Sequence, residues 1–271
     1  MPRVPAELVD LIISFLHPHP LRCGNGIGNF LDKAVARNVG LCGLVCRAWA
    51  PSSRRVLFYR VHVRQYTAHA FAKLFRKPQH LTFLPFIREL EFRNGIAENS
   101  WMNTVLPKIT KHLHPSTLVL SAGSAHFDTL PRLHLRTITR LEIVNFPLDS
   151  TDAIEFIASF PALEGLKVWL ENEWRSTELP QATLRPAESL RCLDLKSTEM
   201  GSFLGWFQGC RAAISTLRLC HPSSMRTTPE SFRSTAEYIE SLGPSLTSLT
   251  IKVDFEGPQI QISWRQYLTA S

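Results

Sequence analysis

The 271-residue sequence contains no run of 18 apolar residues, so nothing in it reads as a membrane-crossing helix. The N-terminus, MPRVPAELVD, places Glu7 and Asp10 where a signal peptide needs an uninterrupted apolar stretch, which argues against secretion. Its six cysteines form no Cys-x-x-Cys pair. Scattered through a chain of this length, they read as reduced, mostly buried thiols of a cytoplasmic or nuclear protein. The frameworks of common catalysts are missing as well: there is no G-x-G-x-x-G, P-loop, G-x-S-x-G or H-E-x-x-H. Acidic residues are scarce at one end. Residues 1–80 hold three of them (Glu7, Asp10, Asp32) against 12 Lys and Arg, a balance of +9, whereas residues 81–271 hold 20 against 18, a balance of −2. The net charge of +7 therefore belongs to the N-terminal part, and an acidic partner is expected there.

What is present begins with VPAELVDLIISFL, Val4 to Leu16, a Pro-initiated helical pattern. Leu8, Val9, Leu11, Ile12, Ile13, Phe15 and Leu16 span roughly 200° of its wheel, well beyond the ~100° stripe of an ordinary surface helix. Such a helix is either interior or held between its own core and a partner, and a module of about 60 residues has too little core to cover both sides. A second pattern, LCGLVCRAWAPSSRRVLFYRV at Leu41 to Val61, puts Leu41, Leu44, Val45, Ala48 and Trp49 on one side of a short helix. Pro51 cannot continue that helix but can open the next, through Arg54 and Arg55 to Leu57 and Phe58.

Val4-Pro5, Glu7-Leu8 and the aliphatic Ile12, Ile13 and Leu16, followed by Val45, Cys46, Arg47 and Trp49, resemble the two halves of an F-box. The resemblance covers about Val4 to Val61 and departs from the family between the halves. There an insert, residues 17–40, holds a Gly/Pro/Asn-rich loop and a helical candidate, Phe30 to Val39. The resemblance implies docking of a Skp-type adaptor, and through it a cullin, by Val4, Pro5, Leu8, Ile12, Leu16, Leu44, Val45 and Trp49.

A connector, residues 63–85, follows with a helical pattern in TAHAFAKLF ended before Pro78. From Ile87 the template L-x-x-L-x-L recurs as IRELEF, ITRLEI (Ile138), LEGLKV (Leu163), LRCLDL (Leu190), ISTLRL (Ile214) and LTSLTI (Leu246), with a degenerate PSTLVL at Pro115. Successive starts are 28, 23, 25, 27, 24 and 32 residues apart, mostly within the spacing of leucine-rich repeats. Helical candidates lie between them at Trp101–Leu113, Asp152–Phe160, Ser202–Gln208 and Glu230–Leu242. Asn94 and Asn145 come one residue early for an asparagine ladder, so none is expected. GPQIQISW, alternating Ile260, Ile262 and Trp264, predicts a last strand, with no polar cap before Ser271.

The fold class expected is α+β: a small helical F-box module (residues 1–62) followed by an irregular α/β leucine-rich-repeat solenoid (residues 86–271). In each L-x-L the leucines should face the core, with Leu141, Ile143, Leu166, Val168, Leu193 and Leu195 almost fully buried. The opposite face should then collect Glu91, Glu142, Lys167, Trp169, Asp194, Lys196, Arg218 and Lys252. We take Glu142, Lys167, Trp169, Asp194, Lys196 and Arg218 as the candidate target-binding residues. Their mixed signs around a Trp fit a protein or peptide better than a phosphate backbone.

Other constellations have plainer readings. Cys42 and Cys46 could touch one metal, but both fall on an apolar arc; His17/His19 and His112/His114 have no further ligands near them in sequence. No metal or cofactor is expected. Arg54, Arg55, Arg60 and Arg64 either grip phosphate or form a solvated docking rim, and no interleaved aromatics favour the first. The function implied by the resemblance is substrate recognition in a Skp–cullin–F-box ubiquitin ligase, by a non-enzymatic adaptor for an unnamed target protein. A basic nucleic-acid-associated scaffold is the alternative.

Overall fold

A computed structural model describes residues 5–16, 28–45, 47–94, 100–122, 135–145, 150–169, 184–196, 200–208, 213–221, 229–253 and 260–265. Over these described residues the chain is mixed α/β, built on one nine-stranded sheet in strictly sequential order, β1 to β9. The strands are β1 (Arg60–Arg64), β2 (Glu89–Asn94), β3 (Thr117–Ala122), β4 (Arg140–Val144), β5 (Gly165–Trp169), β6 (Cys192–Lys196), β7 (Thr216–His221), β8 (Ser248–Val253) and β9 (Ile260–Arg265). The first eight are parallel, and β9 returns antiparallel to β8. Each of the seven leucine-patterned segments supplies one strand, the degenerate PSTLVL included.

Register explains why the leucines recur. Leu90, Leu118, Leu141, Leu166, Leu193 and Leu217 are direct neighbours across successive strands, and a second row two residues on runs from Phe92 through Leu120, Ile143, Val168 and Leu195 to Leu219. All twelve are buried, as the alternation requires. Helices α4 (Gln65–Leu74), α5 (Ser100–Thr110), α6 (Ser150–Ala158), α7 (Met200–Gln208) and α8 (Pro229–Leu242) occupy five of the seven parallel connections among the described residues. Ala68, Ile109, Ile157, Leu204 and Tyr238, one from each, lie in one continuous core with the strand leucines. Burying a Leu or Phe of this kind stabilises by about 1.5–3 kcal/mol.

A backbone ladder runs along the N-terminal ends of the strands. The carbonyl of Tyr59 accepts from the N–H groups of Arg88 and Glu89, that of Arg88 from Ser116 and Thr117, and that of Ser116 from Thr139 and Arg140; the pattern continues through Thr139, Glu164, Arg191 and Ser215. Hydroxyls reinforce it one residue ahead of three of the copies. Thr137, Ser189 and Ser245 donate to the carbonyls of Pro115, Leu163 and Ile214 at 2.8, 2.9 and 3.3 Å. These bonds satisfy the irregular backbone between helix and strand, which a buried loop would otherwise leave unpaired. At the other end of β4, Asn145 adopts a left-handed φ of 49° and donates its N–H to the Trp169 carbonyl at 2.7 Å.

The N-terminal part holds α1 (Ala6–Leu16), α2 (Gly28–Val45) and α3 (Ala50–Leu57), around a small core of Val9, Ile13 and Val39 flanked by Cys42, Trp49, Val56 and Leu57. Two expectations change. The helix expected over Leu41–Trp49 is the end of the 18-residue α2, which begins inside the predicted insert and stops at Val45; residues 47–49 are a turn. The two helical patterns, Phe30–Val39 and Leu41–Trp49, join through Gly40, since a glycine in a helix costs only ~1 kcal/mol. Gly43 also lets α3 approach: a Cβ there would lie 3.3 Å from Ser53 Cβ. Pro51 does stand in the first turn of α3, as expected. Secondly, the sheet starts earlier than Ile87, because Arg60–Arg64 forms β1 across the division drawn at residue 62. Phe58 stacks on Phe83 with ring centroids 4.7 Å apart, so the end of α3 is packed on the segment leading into β2. Among the described residues, no helix is long and apolar enough to cross a membrane.

Candidate functional site

Two surfaces carry the candidate residues. On the helical module the wide apolar arc of α1 divides: Val9 and Ile13 point inward, while Leu8 (49% exposed), Leu11 and Ile12 (42%) remain outside. On α2, Leu41, Leu44 (81%) and Val45 repeat the i, i+3, i+4 spacing and are also exposed. Pro5 is exposed and Trp49 is half-buried against the small core. Val4 and the side chain of Leu16 lie outside the described residues, as do His17, His19 and Cys46. Arg55 reaches across to Asp10 at 3.5 Å, an exposed pair worth little in stability.

The second surface is the sheet face opposite the core. The alternation that buries the leucines places Glu142, Lys167, Asp194 and Arg218 side by side on β4 to β7. Two residues further along the strands, Trp169 neighbours Lys196. The predicted residues touch. Lys167 Nζ lies 3.3 Å from Glu142 Oε2 and 3.8 Å from the centre of the Trp169 ring, and Trp169 Nε1 donates to Asp194 Oδ1 at 3.3 Å. Lys196 Nζ stands 5.9 Å from the same ring. The indole is thus fixed by a carboxylate on one strand and two ammonium groups on two strands, a cation–π arrangement that favours a rigid, half-exposed aromatic. Arg218 and Lys252 are exposed on the same face.

Glu91 departs from expectation. It lies on this face but is 2% exposed, sealed by cations rather than offered to solvent. Arg60 donates to its Oε2 through Nε (3.1 Å) and Nη2 (2.8 Å), His62 Nδ1 donates to the same oxygen at 2.6 Å, and Arg93 Nε donates to Oε1. Burial works against the carboxylate, but the hydrogen bonds and charge of His62, with those of Arg93 and Arg60, outweigh it and hold its pKa well below the ordinary glutamate value. Burial likewise opposes the Arg60 charge, and Glu91 more than compensates, raising the pKa. Arg60 and Arg64, first read as a phosphate grip or a rim, are therefore engaged: Arg64 Nη1 donates to Tyr66 Oη at 2.9 Å. No sequence motif signals this cluster, since Arg60 on β1 and Glu91 on β2 lie 31 residues apart.

Among the described residues no group of three or more His, Cys, Asp and Glu is placed to hold a metal ion. Cys42 packs against the small core as a free thiol. Two surfaces stand out among the described residues, one apolar and helical, the other charged with a central indole. Compared with known proteins, the chain matches no protein-family model and no curated protein.

Proposed function

We propose that this protein is the substrate-recognition subunit of a Skp–cullin–F-box ubiquitin ligase, with an F-box at its N-terminus and leucine-rich-like repeats after it. The observation that carries the reading is the surface of the helical module. With Val9, Ile13 and Val39 already buried, Leu8, Leu11, Ile12, Leu41, Leu44 and Val45 still face outward. Six large aliphatic side chains on two helices of so small a module mark a surface that needs a partner. An adaptor's groove would cover them, in the way amphipathic helices are generally received. The resemblance of Val4–Val61 to the F-box supplies the adaptor's identity.

The sequential parallel sheet supports the repeat reading, because stacked units bury their leucines only against neighbours. In this reading the sheet face around Trp169 holds the target, and the protein forms no covalent bond itself. Tethering the target beside a bound conjugating enzyme raises the effective concentration of its lysines. The place of action is the cytoplasm or the nucleus.

The test is affinity purification of the full chain and of Ile12→Asp, with folding verified by circular dichroism. The wild type should bring down a Skp adaptor and a cullin, Ile12→Asp neither, and Arg88→Ala, outside the module, both. Equal adaptor recovery from wild type and a folded Ile12→Asp removes the F-box reading. Recovery of nucleic acid with steep salt dependence, in place of the adaptor, supports the phosphate-binding scaffold instead.

A further inference from the structure

Averaged over sequence, residues 81–271 are slightly acidic, yet the open face of their sheet is not. On β4 to β8 the outward positions carry Arg140, Lys167, Lys196, Arg218 and Lys252 against Glu142 and Asp194: five cations, two carboxylates, a balance of +3. The two carboxylates are already engaged, Glu142 by Lys167 and Asp194 by the Trp169 N–H. The positive excess therefore lies toward β6 to β8, to one side of the indole.

From this we infer that the face binds an extended acidic peptide segment, with one apolar side chain on Trp169 and carboxylates on the β6–β8 side. The inference rests on the reading of this face as the target-binding end, and it specifies the chemistry of the target. Spacing sets the pattern. Trp169, Lys196 and Lys252 share one row, on strands five, six and eight. Neighbouring strands are ~4.8 Å apart, so Lys196 stands about 5 Å and Lys252 about 14 Å from the indole along the row. A peptide laid across the strands presents alternate side chains about 6.7 Å apart, reaching ~13 Å at the fourth residue on. An apolar residue over Trp169 then brings an acid two places along to Lys196 and Arg218, and a second acid four places along to Lys252.

A nucleic-acid strand fits less well. Glu142 and Asp194 stand on the strands either side of Trp169's, one row back from the indole, and an unbroken phosphate chain crossing that row meets them where a peptide can set a neutral residue.

The experiment uses the full-length chain and fluorescein-labelled dodecapeptides in an anisotropy titration at physiological ionic strength. One peptide carries Phe-Ser-Glu-Ser-Glu, one the reverse order, one Lys in place of both Glu, and a fourth arm is single-stranded oligonucleotide. Saturable binding is expected for one of the two acidic orders, with none for the Lys peptide. Trp169→Ala should weaken it by about tenfold, as loss of a central aromatic anchor does. Lys252→Glu should weaken it too, and changing the peptide's Glu nearest Lys252 to Lys should restore affinity for that variant alone. This charge swap needs no change at the indole and so stands even if Trp169→Ala folds poorly. Absence of binding by both acidic orders, or equal binding of the Lys peptide, overturns the inference. So does tighter binding of the oligonucleotide with the same sensitivity to Lys252→Glu. Adaptor recovery without peptide binding defeats this inference alone, whereas peptide binding without adaptor recovery defeats the F-box reading alone.

Discussion

Leu193→Ala tests whether the strands stabilise one another as stacked neighbours. Leu193 is 1% exposed and sits in register between Leu166 and Leu217, each itself buried and held by a hydrogen-bonded ladder. Truncation removes three carbons at a site whose walls are pinned on two sides, so relaxation can fill little of the cavity. Leu→Ala changes in cores cost about 2–5 kcal/mol depending on how far the site collapses, and the upper half of that range is expected here. For a chain of this size each kcal/mol lowers the melting temperature by roughly 2–4 °C, so a loss of about 4 kcal/mol should appear as roughly 8–16 °C. The companion variant is Leu44→Ala. Leu44 is just as apolar but 81% exposed, and its loss should change stability by no more than about 0.5 kcal/mol. Urea titration followed by circular dichroism measures both, with the denaturant slope checked for constancy. A Leu193→Ala penalty below about 1 kcal/mol, or a Leu44→Ala penalty of equal size, would refute the buried leucine rows.

The buried carboxylate gives a pH prediction. The folded pKa of Glu91 is depressed below its ordinary 4.5, so its stabilisation is complete above that value and is lost as pH falls through the folded one. Glu91→Gln should destabilise by about 1–3 kcal/mol at neutral pH, and the gap from wild type in urea midpoints should narrow only below pH 4.5; a gap constant down to pH 3 contradicts the assignment. Two glycines of α2 should respond oppositely. An added Cβ at Gly40 meets nothing within 4 Å, so Gly40→Ala should gain about 0.5–1 kcal/mol of helix propensity. Gly43→Val drives its branch into Ser53 and should cost about 1–3 kcal/mol, measured by the same urea titrations.

Strands β2 to β8 were legible because each places two large apolar residues at positions i and i+2, and seven such pairs at similar spacing leave few arrangements but stacking. β1 escaped notice although RVHVR has the same alternation. Val61 and Val63 stand where the template has leucines, so a leucine pattern does not mark this strand. The hydroxyl ladder was visible as Thr137, Ser189 and Ser245, each just before a copy begins, but its meaning lies in carbonyls 22 to 31 residues earlier. The contacts of Lys167, Trp169 and Asp194 were foreseeable as a shared face, since alternation alone decides which side a residue takes. Burial of Glu91 was not. It depends on two guanidinium groups and an imidazole meeting at one carboxylate, a fact about side-chain reach that no pattern of apolar residues encodes. The continuity of α2 was not legible because the patterns Phe30–Val39 and Leu41–Trp49 meet at Gly40, and a glycine weakens a helix without stopping it.

The placement of β1 has a mechanical consequence. Because Arg60–Arg64 is the sheet's first strand and follows α3 after two residues, no slack linker separates the helical end from the charged face. Trp169 stands four ladder steps from β1, about 19 Å at the usual spacing of parallel strands. The sheet is then a ruler, whose length is counted in strands rather than set by a tether's average reach. Excising one whole strand-and-helix unit between β1 and β5 would shorten it by one notch of about 5 Å and turn the face by the twist of one strand, roughly 20–25°. A cargo held at the indole would be re-aimed by that notch, along with every lysine it presents.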